Sequence, residues 1–421
     1  MQWVSKDREI KKLNGIFEKR KKEKAIRRLW RSCFQDPIEY EDFYFKNVHE
    51  KNTVYILKEK ENTVFRQNFE KEKSDNLLGM LHLNPYSCRV EGKEQLLHYI
   101  VGVATAKEIR RQGVMRNILC KALGDMYKAG EAFTYLMPAD ERYYSSFGFV
   151  SVSSKDAWTV LIGEELPLHH YAEDIIYVRY QELEDYFGED TEVLFSYIDR
   201  FLAANYSGFA THNREYFELL SLEKECENGE VVFCFEQAVG SENLLGFFAY
   251  GREEEKVFVE QNIILETAEW NVSGCEENLY VLAKQEKIQK IISGYFVLSV
   301  MENNNEKAGL KIPIEIEGIV TYPYMIRVVH VKKFLELFAD CFFEFAENEI
   351  RLYVEDCLMK QSDNMNTFSS GIYYFVRETN QVTVYQEEYS KNGYDRKMTV
   401  DELVQFVFLE KGKKLFLAEI V

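Results

Sequence analysis

The chain changes period several times between Tyr99 and Val150. Tyr99–Thr105 is an apolar run rich in β-branched residues, the composition of a half-buried strand. A basic turn, Arg110-Arg111-Gln112-Gly113, follows. Apolar residues then recur at Val114, Met115, Ile118, Leu119, Ala122, Leu123 and Met126, the spacing of a helix with one buried stripe. Gly130 stands where a glycine cap ends such a helix. Phe133–Met137 reads as a second strand stopped by Pro138, and Tyr143-Tyr144 precede Phe147-Gly148-Phe149.

The same patterning organises the rest of the chain. Val54–Leu57 and Leu77–Leu83 read as strands. Lys19–Lys24 with Arg27-Arg28 reads as the solvated face of an early helix that buries Leu29 and Trp30. Asn76-Leu-Leu-Gly79-Met-Leu81 recurs as Asn243-Leu-Leu-Gly246-Phe-Phe248, and each copy follows an apolar strand, Val54–Leu57 or Val231–Phe235. This echo predicts an internal duplication. The second copy lacks the Arg-x-x-Gly turn, so it is expected to build a pocket wall rather than hold an anion.

Helical spacing returns at Leu194, Tyr197, Ile198, Phe201 and Leu202. Pro167 marks a linker. From about residue 301 the texture changes: Ile312–Glu317 alternates as a strand and Val328–Val331 continues apolar. Tyr373–Val376 and Val382–Tyr385 flank a hairpin turn, and Thr399 with Glu402 forms a capping box opening a helix over Val400–Leu409. The expected division is therefore 1–155, 156–300 and 301–421.

The turn before the helix is the first candidate for chemistry. The leading N–H groups of a helix have no intrahelical partner, and the macrodipole makes that end positive. Arg110 and Arg111 add charge there, and Gly113 lets a ligand approach the backbone. Spacing alone leaves two readings open: a phosphate cradle, or an ordinary strand–helix–strand unit with a basic surface turn. It is neither a P-loop, since no Gly-Lys-Ser/Thr closes it, nor a GxGxxG fingerprint.

Composition narrows the class. The chain has 421 residues, 46% of them hydrophobic, with 27 Tyr and 30 Phe, which predicts a globular protein of two or three domains. No apolar run reaches ~18 residues, so no membrane span is expected. The charged start, Met1-Gln-Trp-Val-Ser-Lys-Asp-Arg-Glu9, does not suit a signal peptide. The eight cysteines show no C-x-x-C spacing and suit reduced thiols in the cytoplasm. A net charge of −18 disfavours nucleic acid as a partner and attracts polycationic small molecules, although it also serves solubility alone. No metal-ligand spacing and no Gly-x-Ser-x-Gly elbow occurs, so neither a metal site nor a hydrolase is expected.

Several motifs together resemble one family. Arg110-Arg111-Gln112-Gly113-Val114-Met115 resembles the R/Q-x-x-G-x-G/A signature of the GNAT N-acetyltransferases, with Met115 in place of the small last residue. Met115 followed by Arg116 resembles the branch named for enhanced intracellular survival (Eis). Tyr144-Ser-Ser-Phe147-Gly148-Phe149 matches that branch's Tyr-x-x-Phe-Gly-Phe/Tyr segment. Leu29–Asp36, Met325–Val331 with Phe334-Leu335, and the apolar tail Phe416–Val421 are similar to it too, with His330 where an acidic residue is usual.

The resemblance implies a mixed α+β architecture: tandem GNAT folds, the second degenerate, and a sterol-carrier-protein-like C-terminal domain. It implies acetyl-CoA as co-substrate, held by the strand backbone at Val103, Ala104 and Thr105, by Arg110, by the amides of Arg111, Gln112, Gly113, Val114, Met115 and Arg116, and again near Ala139-Asp140. It makes Tyr144 the general acid and the terminal carboxylate of Val421 the base. An α-carboxyl near ~3.3–3.7 is far weaker than an alkylamine near ~10, so it orients the amine unless desolvated. The implied acceptor is an aminoglycoside-like compound or polyamine, and the implied assembly a homo-oligomer, a hexamer. Acetylation of protein lysines, or a non-catalytic CoA- or lipid-binding scaffold, are the alternatives.

Overall fold

A computed structural model describes residues 8–60, 77–162, 175–236, 238–253, 256–264, 290–293, 314–342, 349–356, 358, 370–378, 381–387 and 393–417. The chain divides into two units: Met1–Ser153 with Pro323–Leu415, and Ser154–Tyr322 with Phe416–Ile420.

The first unit opens with β1 (Arg8–Leu13), α1 (Ile16–Cys33), α2 (Ile38–Phe43) and a wide π-type turn over Tyr44–Val48. Then come β2 (Thr53–Glu59), β3 (Gly79–Val90), β4 (Lys93–Thr105), α3 (Val114–Ala129) and β5 (Phe133–Leu136). The strands lie in the order β1-β2-β3-β4-β5, followed by β13 (Ile314–Val328). Neighbours from β1 to β4 run antiparallel, β4 and β5 run parallel, and Met325–Val328 of β13 closes antiparallel on β5. The parallel step needs a crossover, which α3 supplies. Its predicted stripe is buried at Val114, Ile118, Leu119, Ala122, Leu123 and Met126, with Met115 half-buried, and Gly130 caps it at φ 77°.

The same unit carries a second sheet. After α7 (Val331–Leu337) come β14 (Glu349–Glu355), β15 (Gly371–Glu378), β16 (Gln381–Glu387) and β17 (Arg396–Thr399), in the order β16-β15-β14-β17. β15 and β16 form the expected hairpin. The capping box is present: Glu402 N–H donates to Thr399 Oγ1 (3.4 Å) and Thr399 N–H to Glu402 Oε2 (2.7 Å). The helix it opens, α8 (Val400–Val404), widens into a π-type turn over Gln405–Glu410. Phe133 of β5 meets Phe334 edge-on at 6.1 Å and Phe408 at 6.2 Å, so this segment packs directly on the β5 layer.

The second unit contains β6 (Val150–Ile162), β7 (Ile175–Arg179), α4 (Leu183–Phe187), α5 (Thr191–Asn205), β8 (Gly208–Ala210) and α6 (Arg214–Cys226). These precede β9 (Glu230–Glu236), β10 (Leu244–Glu253), β11 (Lys256–Ile264) and β12 (Lys290–Ser293). Its order is β7-β9-β10-β11-β12-β6, with three antiparallel steps, one parallel step and one antiparallel step. That is the first unit's sequence of senses. Both echoes of the Leu-Leu-Gly motif lead into the third strand, and both third strands show a register shift against the fourth. The closing strand of each unit comes from outside its own run: Met325–Val328 closes the first, and Trp158–Leu161, upstream of β7, closes the second.

One expectation needs correction. Lys19 is not on a solvated face: it is 1% exposed, and its ammonium donates to the carbonyls of Glu50 and of Asn52, the latter at 2.7 Å. Arg27 is also engaged, with Glu41 at 2.8 Å and Asp42 at 2.6 Å. The linker at Pro167 and the strand start at Ile312-Pro313 lie outside the described residues, as does Val421.

Candidate active site

β4 is the spine of the site. Against β3, Met80 faces Ala104 but His82 faces Val101, so Gly102 and Val103 form a bulge. Gly102 has φ +59°, and a Cβ there would stand 2.7 Å from Cζ3 of Trp30. Trp30 of α1 therefore lies directly on the bulge, and its Nε1–H donates to Asp36 Oδ2 at 2.7 Å. On the helix side, a Cβ on Gly79 would meet Val114 Cγ1 at 2.6 Å, which seats the start of α3 tightly on β3.

The parallel pairing of β4 and β5 is registered at Tyr99 and Tyr135, and β5 ends at Leu136 while β4 runs on to Thr105. Val103, Ala104 and Thr105 thus lie past the end of their neighbour. Backbone groups on that side need another partner. Ala104 is buried, and Val103 and Thr105 are half-buried. The Thr105 carbonyl accepts from Arg110 Nε at 3.2 Å, with the Cys33 thiol at 3.8 Å.

The turn then delivers the helix end. Arg111 takes φ 63° and Gly113, the residue before α3, takes φ 75°. Gly113 has no side chain to cap the helix, and no atom of the described residues beyond its chain neighbours lies within 4 Å of where its Cβ would be. Its carbonyl accepts from Asn117 N–H at 3.0 Å, the first helical bond of α3, so the leading amides of Val114 and Met115 have no intrahelical acceptor. An anion fits this end of α3. Gln112 is tied to β1, its Oε1 accepting from Arg8 at 3.1 Å, while Arg111 is exposed. The Arg116 guanidinium lies 5.6 Å over the Phe147 ring, joining this turn to the tyrosine segment.

Past β5, Ala139 is exposed. The Asp140 carboxylate accepts from Arg142 N–H and Nε, both at 2.9 Å. Those bonds hold its pKa below the usual range and commit its charge to Arg142. The tyrosine pair separates cleanly. Tyr143 is 60% exposed, whereas Tyr144 is 9% exposed and meets Phe149 edge-on at 5.8 Å. Among the described residues the Tyr144 hydroxyl makes no hydrogen bond, and burial pushes its pKa up to about 12. The phenol therefore keeps its proton, with no acceptor for it among the described residues.

Sequence reasoning missed the floor beneath the bulge. His82 lies 3.4 Å from the position of a Gly102 Cβ, and its Nδ1 is 2.8 Å from the Tyr44 hydroxyl. Asn52 donates to that hydroxyl at 3.0 Å. Burial depresses the pKa of His82 well below its ordinary value. A glycine inside the strand run was the available signal. The apolar tail is anchored as expected as far as it is described: Phe416 and Leu417 are buried, and the Phe416 ring lies 5.4 Å from Tyr206 and 6.1 Å from His212. Among the described residues no group of three or more His, Cys, Asp or Glu is arranged to hold a metal, and no helix is long and apolar enough to cross a membrane.

Residues 18–152 match the family described as the acetyltransferase (GNAT) domain, a span running from α1 into β6 that includes β3, β4, α3, β5 and the turn carrying Tyr144. No curated protein sequence matches the chain. Among solved structures, a conserved protein of unknown function and probable N-acyltransferase from Enterococcus faecalis V583 is similar at 15% identity and a TM-score of 0.65, covering 94% of this chain and 89% of that one. A GCN5-related N-acetyltransferase from Anabaena variabilis shares 13% identity at a TM-score of 0.63, with the same coverage. Eis1 from Mycobacterium abscessus shares 12% at 0.54, covering 96% and 89%. At these identities the likeness is one of fold.

Proposed function

We propose, from the GNAT acetyltransferase domain over residues 18–152, that the protein transfers the acetyl group of acetyl-CoA to amines of aminoglycoside-like or polyamine acceptors. The observation that carries this reading is the buried, protonated Tyr144 phenol, with no acceptor among the described residues, on a turn joined through Phe147 to the uncapped start of α3. The N–H groups of Val114 to Arg116 hold the pyrophosphate, with Arg110 and Arg111 adding charge. Amides of β4 at Val103 to Thr105 hold the pantetheine and polarise the thioester carbonyl. The amine attacks that carbonyl, the C–S bond breaks and the departing sulfur takes the Tyr144 proton, while the attacking nitrogen gives up its proton through water toward the Val421 carboxylate and water reprotonates Tyr144.

A phenol near 12 is a weaker acid than a free thiol near ~8.5, a gap of about 5 kcal/mol at 1.36 per unit. The same burial penalises the thiolate as well, which narrows the gap, and transfer is concerted with C–S cleavage. The Val421 carboxylate orients the amine and stabilises its charge, with Phe416 and Leu417 anchoring the tail that carries it.

The shared order of strand senses supports reading residues 1–155 and 156–300 as tandem GNAT folds. The four-stranded sheet of the C-terminal segment supports the sterol-carrier-protein-like assignment of 301–421. A hexamer and a cytoplasmic location complete the reading. The test is release of free CoA from acetyl-CoA with a panel of amines. Release with several aminoglycosides, at more than one acetyl per molecule, supports it. Release confined to lysine peptides transfers it to protein substrates.

A further inference from the structure

Among the described residues the largest fully buried side chain is an arginine, Arg327, at 0% exposure. It stands on the closing strand β13, and every arm of its guanidinium is engaged. Nε–H donates to the Phe147 carbonyl at 2.6 Å, and Nη1 donates to the Val328 carbonyl at 2.6 Å. Nη2 reaches Asp356 Oδ2 at 2.8 Å and Oδ1 at 2.9 Å. Asp356, also 0% exposed, accepts in addition from Leu358 N–H at 3.1 Å. A buried ion pair tolerates its desolvation only when the remaining hydrogen-bonding capacity is met in this way. The fork also needs arginine geometry, since a lysine ammonium is a point charge.

The Phe147 carbonyl belongs to the turn that carries Tyr144. Phe147 N–H donates to the Tyr144 carbonyl at 2.9 Å, and Gly148 N–H to Ser145 at 3.0 Å. Gly148 sits at φ +82°, where a Cβ would stand 3.2 Å from Val400 and 3.6 Å from Arg327 Nε. From the other side, Arg116 covers the Phe147 ring. Among the described residues nothing hydrogen-bonds the Tyr144 phenol, so its location depends on this turn.

We propose that Arg327 and Asp356 are positioning residues that place Tyr144 for proton donation, acting through the Phe147 carbonyl. The proposal rests on reading Tyr144 as the general acid. It gives the C-terminal segment a part in the chemistry of the N-terminal sheet.

The test replaces the pair by apolar side chains, Arg327→Met with Asp356→Leu, a change that buried ion pairs often tolerate as folded proteins. The Phe147 carbonyl then loses its donor. The expected result is a fall in kcat of about 100-fold, with acetyl-CoA affinity within about twofold. Adding Tyr144→Phe to this background slows it little further, since both changes remove one function. Multiplying losses would overturn the proposal. An independent arm places 3-fluorotyrosine at position 144 and follows its 19F resonance, which should move toward the free amino acid in the double variant. An unmoved resonance overturns the proposal whether or not the wild-type protein acetylates an amine. Failure of wild-type turnover, by contrast, removes the acid role and leaves the 19F arm to decide the positioning. If the double variant is unfolded, Arg327→Lys is judged by the same readouts.

Discussion

Gly102 and Gly113 both need a left-handed backbone, but only one of them is also enclosed. The same substitution to alanine should therefore cost different amounts at the two positions. At Gly113, φ is +75° and, among the described residues, nothing beyond the chain neighbours lies within 4 Å of an added Cβ. The cost there is the backbone term alone, about 1–2 kcal/mol. At Gly102, φ is +59° and the Cβ would stand 2.7 Å from Cζ3 and 3.5 Å from Cε3 of Trp30, and 3.4 Å from Cγ of His82. Trp30 cannot retreat freely, because Asp36 holds its indole and Tyr44 lies 4.7 Å from its ring. Overpacking of that kind adds about 1–3 kcal/mol, so Gly102→Ala should cost about 2–5 kcal/mol in all. The assay is urea unfolding of the two variants beside wild type, followed by Trp fluorescence, with acetyl-CoA affinity measured by calorimetry. Gly102→Ala should lower stability by roughly 1–3 kcal/mol more than Gly113→Ala. In a Trp30→Ala background the extra cost should largely vanish, because the clash has lost its partner. Equal losses at the two glycines, or an undiminished loss without Trp30, would refute the bulge geometry on which the proposed thioester site depends.

Other consequences are open to measurement. Tyr144→Phe should lower kcat about 100-fold with acetyl-CoA affinity nearly unchanged, while Tyr143→Phe, at an exposed position, should change little. Because burial holds the Tyr144 phenol near 12, kcat at saturating acceptor should show no alkaline limb from this group below pH ~10; a limb near 9–10 that Tyr144→Phe abolishes would contradict that burial. Burial also depresses His82 well below its ordinary value and His49 to about 4, so both stay neutral in the fold while the unfolded chain takes up protons below ~6.5. Folding stability is therefore fully present above that pH and is lost as pH falls toward the folded values, with a limiting slope of about 2.7 kcal/mol per pH unit for two groups. His82→Leu should reduce the slope between pH ~6 and ~4.5, as read by urea midpoints; an unchanged slope would mean that His82 is not held neutral.

What the sequence made legible follows from the range of each interaction. Helix α3 and its glycine cap, the hairpin β15–β16 and the capping box at Thr399 were readable because each depends on residues a few positions apart. Spacing to Phe147 singles out Tyr144 over Tyr143 in the sequence, and the fold buries Tyr144 while leaving Tyr143 exposed. Lys19 was misread because the carbonyls that bury its ammonium lie some thirty residues downstream, beyond the reach of any local pattern. Arg327 appeared only as part of a motif, since Phe147 and Asp356 meet it from 180 and 29 residues away. The closing strands were hidden for a related reason. Period two identifies a strand, but not the neighbour it will take, and here each unit is closed by a strand from outside its own run.

The most direct test of the account is a single assay: purified protein with acetyl-CoA and a panel of aminoglycosides, spermidine, lysine peptides and a no-amine control. Free CoA is followed with a thiol reagent, and products are weighed by mass spectrometry. CoA release is expected with several aminoglycosides or polyamines, each gaining about 42 Da per acetyl (about one CoA per acetyl). Acetyl-CoA that binds but is not consumed above the control with any amine would contradict it.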